Sequence, residues 1–165
     1  MSYTNIFNYT FRVINIFHYT SSLDNFHALT CDPLNLFKLP EANFKNANLN
    51  RAQVKGAKLA GGTFDNTSLP RADITGADLT DAKFLNSNLS RAKLNGSILR
   101  RTYLKGSDLS EADLSIADLT GASLIEVKLI GANMERIKLN QAKLPGAQLC
   151  GAKMNKANHR KLLWW

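Results

Sequence analysis

From Leu39 to Met154 an apolar residue stands at every fifth position, through 24 consecutive pentads without a miss. A helix repeats its apolar face about every 3.6 residues and a half-buried strand every 2, so neither element by itself produces a period of five. Two places before each apolar residue the side chain is nearly always small: Ala42, Ala47, Ala52, Ala57, Gly62, Thr67, Ala72 and Ala77 open the series, and Phe37, Val127 and Ile137 are its exceptions. A second period lies over the first. Phe44, Phe64 and Phe84 are 20 residues apart, as are Asn46, Asn66 and Asn86, then Arg51, Arg71 and Arg91, then Gly56, Gly76 and Gly96. Four columns that agree on 20 make four pentads the structural unit.

The arrangement that satisfies both periods is a solenoid whose coil has four sides, one pentad to a side. Alternation along an extended segment turns the apolar residue and the small residue two before it inward together. Coils stacked at the strand spacing of about 4.8 Å would make six coils a rod of roughly 29 Å. The last pentad position, held by Gly, Asn, Asp and Arg, falls at the corner, where Gly and Asn tolerate unusual backbone angles most easily. Pro70 and Pro145 follow the central Leu, where a turn accepts a missing N–H donor.

The runs Ala72-Asp73-Ile74-Thr75-Gly76, Ala77-Asp78-Leu79-Thr80-Asp81, Ala112-Asp113-Leu114-Ser115-Ile116 and Ala117-Asp118-Leu119-Thr120-Gly121 resemble the A-[D/N]-L-x-x signature of pentapeptide-repeat proteins. The resemblance covers 37–156 and implies an all-β fold, the right-handed quadrilateral β-helix, here of about six four-sided coils. The phase never slips, so no loop of the kind that interrupts certain quinolone-resistance members is expected within the array.

A solenoid needs its end coils covered. Residues 1–36 are expected to form an aromatic-rich N-terminal cap, with period-2 aromatics from Phe7 to Tyr19 and a short helix equally compatible with 22–30. Residues 157–165 are expected to form a C-terminal cap, helical in one reading. In the other, Leu162, Leu163, Trp164 and Trp165 supply a homodimer contact, which the resemblance makes relevant because family members that dimerise often do so through this end.

The net charge is +8. It is banded: residues 41–106 carry eleven basic and five acidic side chains, 107–135 one basic and six acidic, and 136–165 seven basic and none acidic. Arg51, Arg71 and Arg91 should stack on one corner, with Glu111 continuing the column; a stripe of guanidinium groups reads either as a partner- or anion-binding edge or as a solvated one. The Asn46, Asn66, Asn86 column reads as a hydrogen-bonded corner ladder.

No catalytic constellation is apparent. His18, His27 and His159 stand outside the array, Cys31 and Cys150 are far apart, and Asp73, Asp78, Asp108, Asp113 and Asp118 occupy the outward second position of the pentad. No enzyme activity, cofactor or metal is expected. With no signal-like start, no membrane-length apolar run and two isolated cysteines, the expectation is a cytoplasmic protein without membrane contact.

The function read from these features is a non-catalytic protein-binding scaffold. The resemblance adds an alternative, since quinolone-resistance members mimic duplex DNA on type II topoisomerase. That role calls for a strongly negative rod, and this chain is +8. A second alternative is weak, non-specific nucleic-acid binding through the basic bands, for which Tyr103 is the only outward aromatic in the pattern.

Overall fold

Each side of the molecule is held by one residue in five, which bridges in parallel to the residue 20 places further on, from Lys38↔Lys58 to Lys143↔Leu163. This is a computed structural model of the chain, and it describes residues 38–164. The expected N-terminal cap and Trp165 lie outside the described residues. The described chain is a four-sided β-helix of a little over six coils.

The pentad Asp78–Ala82 shows how five residues make one side and one corner. The Leu79 N–H donates to the Ile98 carbonyl of the next coil at 2.8 Å, and the Asp81 N–H to that of Arg100 at 2.9 Å. Facing the other way, the Asp78 N–H reaches the Ala57 carbonyl at 2.9 Å, while the Ala82 N–H closes the corner onto Leu79 at 3.0 Å. The fifth donor, the Thr80 N–H, has no backbone partner in this scheme and takes the Asp78 Oδ1 at 3.2 Å. The same capture recurs at Asp73, Asp108, Asp113 and Asp118. It explains the signature: Ala fits inside, Asp or Asn ties down its own turn, Leu fills the core. Proline is accepted at 40, 70 and 145 because it sits where the ladder asks for no N–H.

The corner residue is left-handed in every pentad, from Glu41 at φ 59° to Lys161 at φ 56°. Sixteen of these are not glycine, and one, Ile116, is β-branched. Each costs roughly 1–2 kcal/mol in isolation; the inter-coil bond that its N–H makes, worth about 1 kcal/mol net, helps to offset this. Only a few corners require glycine. At Gly106, with φ 70°, an added Cβ would run into the Asn86 Oδ1 of the coil before, whereas at Gly76, with φ 66°, it would meet nothing within 4 Å.

The inward residues form one continuous core. Leu79, Phe84, Leu89, Leu94 and the central leucines from Leu104 to Leu129 are buried, together with their small partners such as Ala77 and Ala112. Phe44, Phe64 and Phe84 stack with ring centroids 4.8 and 4.5 Å apart. Where the small position is a hydroxyl it finds a carbonyl: Thr67 donates to Phe44 at 2.7 Å, and Ser87 and Ser107 to Phe64 and Phe84. No described buried polar side-chain atom is left without a partner.

The C-terminal helix does not form. Residues 157–164 carry on the pentad geometry, with Asn158 and Leu163 bridged to Lys138 and Lys143. The ladder is made by backbone, so it continues past His159 even though a histidine now stands where the apolar column would place its next residue.

Candidate functional site

The corner between the Asn48 and Gln53 sides carries Arg51, Arg71, Arg91 and Glu111 on successive coils, at φ 57°, 59°, 58° and 57°. Their N–H groups are fixed at 3.0, 3.0, 2.9 and 2.8 Å to the carbonyls of Pro70, Ser90, Ser110 and Ile130, so the four side chains leave the molecule in one direction from a rigid edge. The column then turns to Gly131 and Gly151 and ends as a source of side chains. The stacking expected for Arg51, Arg71 and Arg91 is therefore what the fold produces.

The three arginines are not equivalent. Arg91 forms a two-pronged bond with Glu111, Nε to Oε2 at 2.9 Å and Nη2 to Oε1 at 3.0 Å. That hydrogen bonding, followed by the opposite charge, holds Glu111 below the usual carboxylate range and raises Arg91. The charge of Arg71, two coils from Glu111, pulls the same carboxyl down further. Arg51 and Arg71 have no ion-pair partner among the described residues. Both are exposed.

Beside the arginines runs an open groove of about 420 Å³, whose other wall is the preceding column of Asn50, Pro70, Ser90 and Ser110. Its lining mixes the Asn50 amide, the Ser90 and Ser110 hydroxyls and the arginine side chains with the apolar ring of Pro70. Across the first three of these coils, residues 48–56, 68–76 and 88–96 hold five basic side chains and one acidic, and in the fourth coil 108–116 holds three acidic and no basic. The groove thus starts strongly positive and is closed off at one end by negative charge.

Two further charged pairs close on themselves. Arg101 clasps Asp81 across one coil step at 2.7 and 2.6 Å, and Lys138 lies 3.8 Å from Asp118. At Asp118, partial burial pushes the carboxyl up, but the Thr120 hydroxyl and N–H together with the charges of Lys138 and Arg100 outweigh it and leave the group below the usual range. The aspartates of the signature are turn-formers and do not converge on a centre. The Asn46, Asn66, Asn86 column is hydrogen-bonded from coil to coil by backbone N–H groups to the carbonyls of Asp65, Leu85 and Lys105, with no bond between the amide side chains. No group of three or more His, Cys, Asp or Glu residues able to hold a metal occurs among the described residues. No helix of the described residues is long and apolar enough to cross a membrane.

Leu162 is half-buried against the core, while Leu163 and Trp164 are exposed at 38% and 47%. They stand about four coils from the arginine corner and take no part in it. Sequence reasoning missed the groove itself and the role of Glu111 in quenching one arginine. The signal was present in the column one residue before each corner, Asn50, Pro70, Ser90 and Ser110, which has the same 20-residue spacing.

Comparison with known proteins places this geometry. The family model of pentapeptide repeats matches in eight copies, in overlapping stretches that run from 37–64 to 117–155. Among solved structures, a trypsin-treated variant of QnrB1, a plasmid-mediated fluoroquinolone resistance protein, superposes with a TM-score of 0.71 at 20% identity, covering 76% of this chain and 64% of that one. The chain therefore spans less than two thirds of that relative's length, and the likeness is one of fold. Rfr23, a pentapeptide repeat protein from the cyanobacterium Cyanothece 51142, gives a TM-score of 0.54 at 27% identity, covering 78% of this chain and 85% of that one. No curated protein is significantly similar in sequence.

Proposed function

Because the chain belongs to the pentapeptide-repeat family, whose fold is the right-handed quadrilateral β-helix, we propose that it is a non-catalytic protein-binding scaffold and that Arg51 and Arg71 form its docking edge. The observation that carries this reading is the pair of guanidinium groups on a rigid corner, without an ion-pair partner among the described residues and next to a groove, where the Asp81–Arg101 corner is closed by its own counter-charge. A corner residue contributes only its backbone to the fold, so its side chain is free to serve a partner. The reading also fits a reducing compartment such as the cytoplasm, since Cys150 is an exposed free thiol.

QnrB1 is a fluoroquinolone resistance protein by its description, and a topoisomerase-directed role for this chain is the second reading. Net charge weighs against it, because a rod of +8 does not imitate a polyanion. Capture from nuclease-treated host extract at near-physiological salt tests both. The full chain is compared with an Arg51, Arg71, Arg91→Ser variant, and a single protein retained by the first and lost by the second is the expected result. Equal capture by both baits would remove the corner from the function, and capture of a topoisomerase irrespective of the arginines would favour the second reading.

A further inference from the structure

We propose that the arginine groove receives one face of an acidic α-helix from a partner protein, with carboxylates from successive helical turns seated on Arg71 and Arg51. This deepens the scaffold reading above and rests on it. The chemistry of the ligand is displayed by the chain itself. At Arg91 the corner already holds a carboxylate, that of Glu111, in the two-pronged geometry that guanidinium and carboxylate groups favour. Arg71 and Arg51 offer the same group on the same corner with no carboxylate of the described residues in place.

Spacing selects the shape of the partner. The coil repeat, read from the stacked phenylalanines, is 4.5–4.8 Å. On a helix with a rise of about 1.5 Å per residue, side chains at i and i+3 or i+4 are separated by about 4.5 or 6.0 Å, and those at i and i+7 by about 10.5 Å. These distances follow one and two coil steps within the reach of an arginine. An extended strand repeats its facing side chains at about 6.6–6.8 Å and is out of step by a third of its repeat after one coil. A second copy of this chain offers no matching row, since none of its outward or corner columns stacks acidic residues on adjacent described coils: Asp73 is followed by Lys93, Asp78 by Ile98 and Asp81 by Arg101.

Charge sets the length and the limit of the contact. Asp108, Glu111 and Asp113 repel an acidic helix at the fourth coil, so the acidic stretch spans about two turns, over Arg51 and Arg71. A third carboxylate would have to displace Glu111 from Arg91. Glu111 is therefore an internal competitor that caps the site at two guanidinium groups.

The test uses the full chain and fluorescence anisotropy with two synthetic helical peptides of identical composition. One has its glutamates at i, i+4 and i+7 on a single face; in the other they are spread around the helix. The single-face peptide should bind at least about tenfold more tightly, the factor expected for one added charge-assisted contact. Arg51→Asn with Arg71→Asn should abolish that preference; Asn accepts the left-handed corner, and an unchanged thermal midpoint shows that the variant is folded. Glu111→Gln should tighten the single-face peptide several-fold by releasing Arg91. Equal binding of the two peptides, an unaltered preference in the double Asn variant, no gain in Glu111→Gln, or tighter binding of duplex DNA of matched charge would each overturn the helix proposal. None of these would cancel a partner captured from extract through the arginines, so the scaffold reading fails only in its own experiment.

Discussion

Two corners of the same β-helix put the same backbone to different use. At the corner of Gly61, Asp81, Arg101 and Gly121, two opposite charges are flanked by glycine, and Asp81 and Arg101 close on each other. At the corner of Arg51, Arg71, Arg91 and Glu111, three like charges precede a single opposite one, and the pairing consumes only the last arginine. Both corners have left-handed residues and the same inter-coil bonds. The difference lies wholly in side chains that the fold does not require.

The largest effect should come from breaking the premise that inside and corner are independent. Leu89 is buried two residues before Arg91. Leu89→Ala should cost about 2–5 kcal/mol in denaturant unfolding, the range for a large-to-small change in a core that cannot collapse. Arg91→Asn should leave the unfolding midpoint within error. Comparable losses in the two variants would mean that the corner side chain is structural after all.

A smaller effect separates glycine that is required from glycine that is merely tolerated. Gly106→Ala must bear both the left-handed angle and a collision with Asn86, and Gly76→Ala the angle alone. Roughly 1–3 kcal/mol is expected for the first and about 1 kcal/mol for the second, by thermal or denaturant unfolding. Asn86→Gly should recover most of the difference between them. Equal costs would show that the angle is the whole penalty and that the column of asparagines does not dictate the glycine after it.

The coil architecture could be read from the residues because each of its rules leaves a mark every five or every 20 positions. Leu, Ala and the turn-forming Asp recur, and no competing period is present. Charge pairing leaves no such mark. That Glu111 takes Arg91 while Arg71 stays open depends on which way long side chains lean along the axis, and the sequence shows only that the three stand in one column. The end of the array misled for a related reason. His159 breaks the apolar column, yet Ala157 and Lys161 still fit their places, and parallel bridging at Asn158 and Leu163 needs only backbone. A pattern carried by side chains marks where the core is well filled, and the ladder can outrun it by a side or two.

Acidity provides the finest test of the contrast between the corners. Hydrogen bonds from Arg101 and Arg91, followed by their charges, hold the carboxyls of Asp81 and Glu111 below the usual range. A depressed folded value means that each pair contributes its stability fully above the ordinary carboxylate value and loses it as pH falls through the lowered one. Both carboxyls should therefore titrate late in an acid NMR titration, and each should rise toward the ordinary range when its own arginine becomes Asn, with Glu111 still held down in part by Arg71. Because both pairs are solvent-exposed, the accompanying change in thermal midpoint should be small. The consequences at the two corners differ. Protonating Asp81 frees one arginine whose corner neighbours beyond the pair are glycines, whereas protonating Glu111 adds a third guanidinium to two that are already open. With sulfate as the probe, an anion that keeps at least one negative charge throughout this range, perturbation of the arginine Nε resonances should grow on acidification at Arg71 and Arg91 and much less at Arg101. Equal growth at the two corners would mean that stacked arginines attract an anion no better than a single one, and the comparison on which the docking edge rests would be lost.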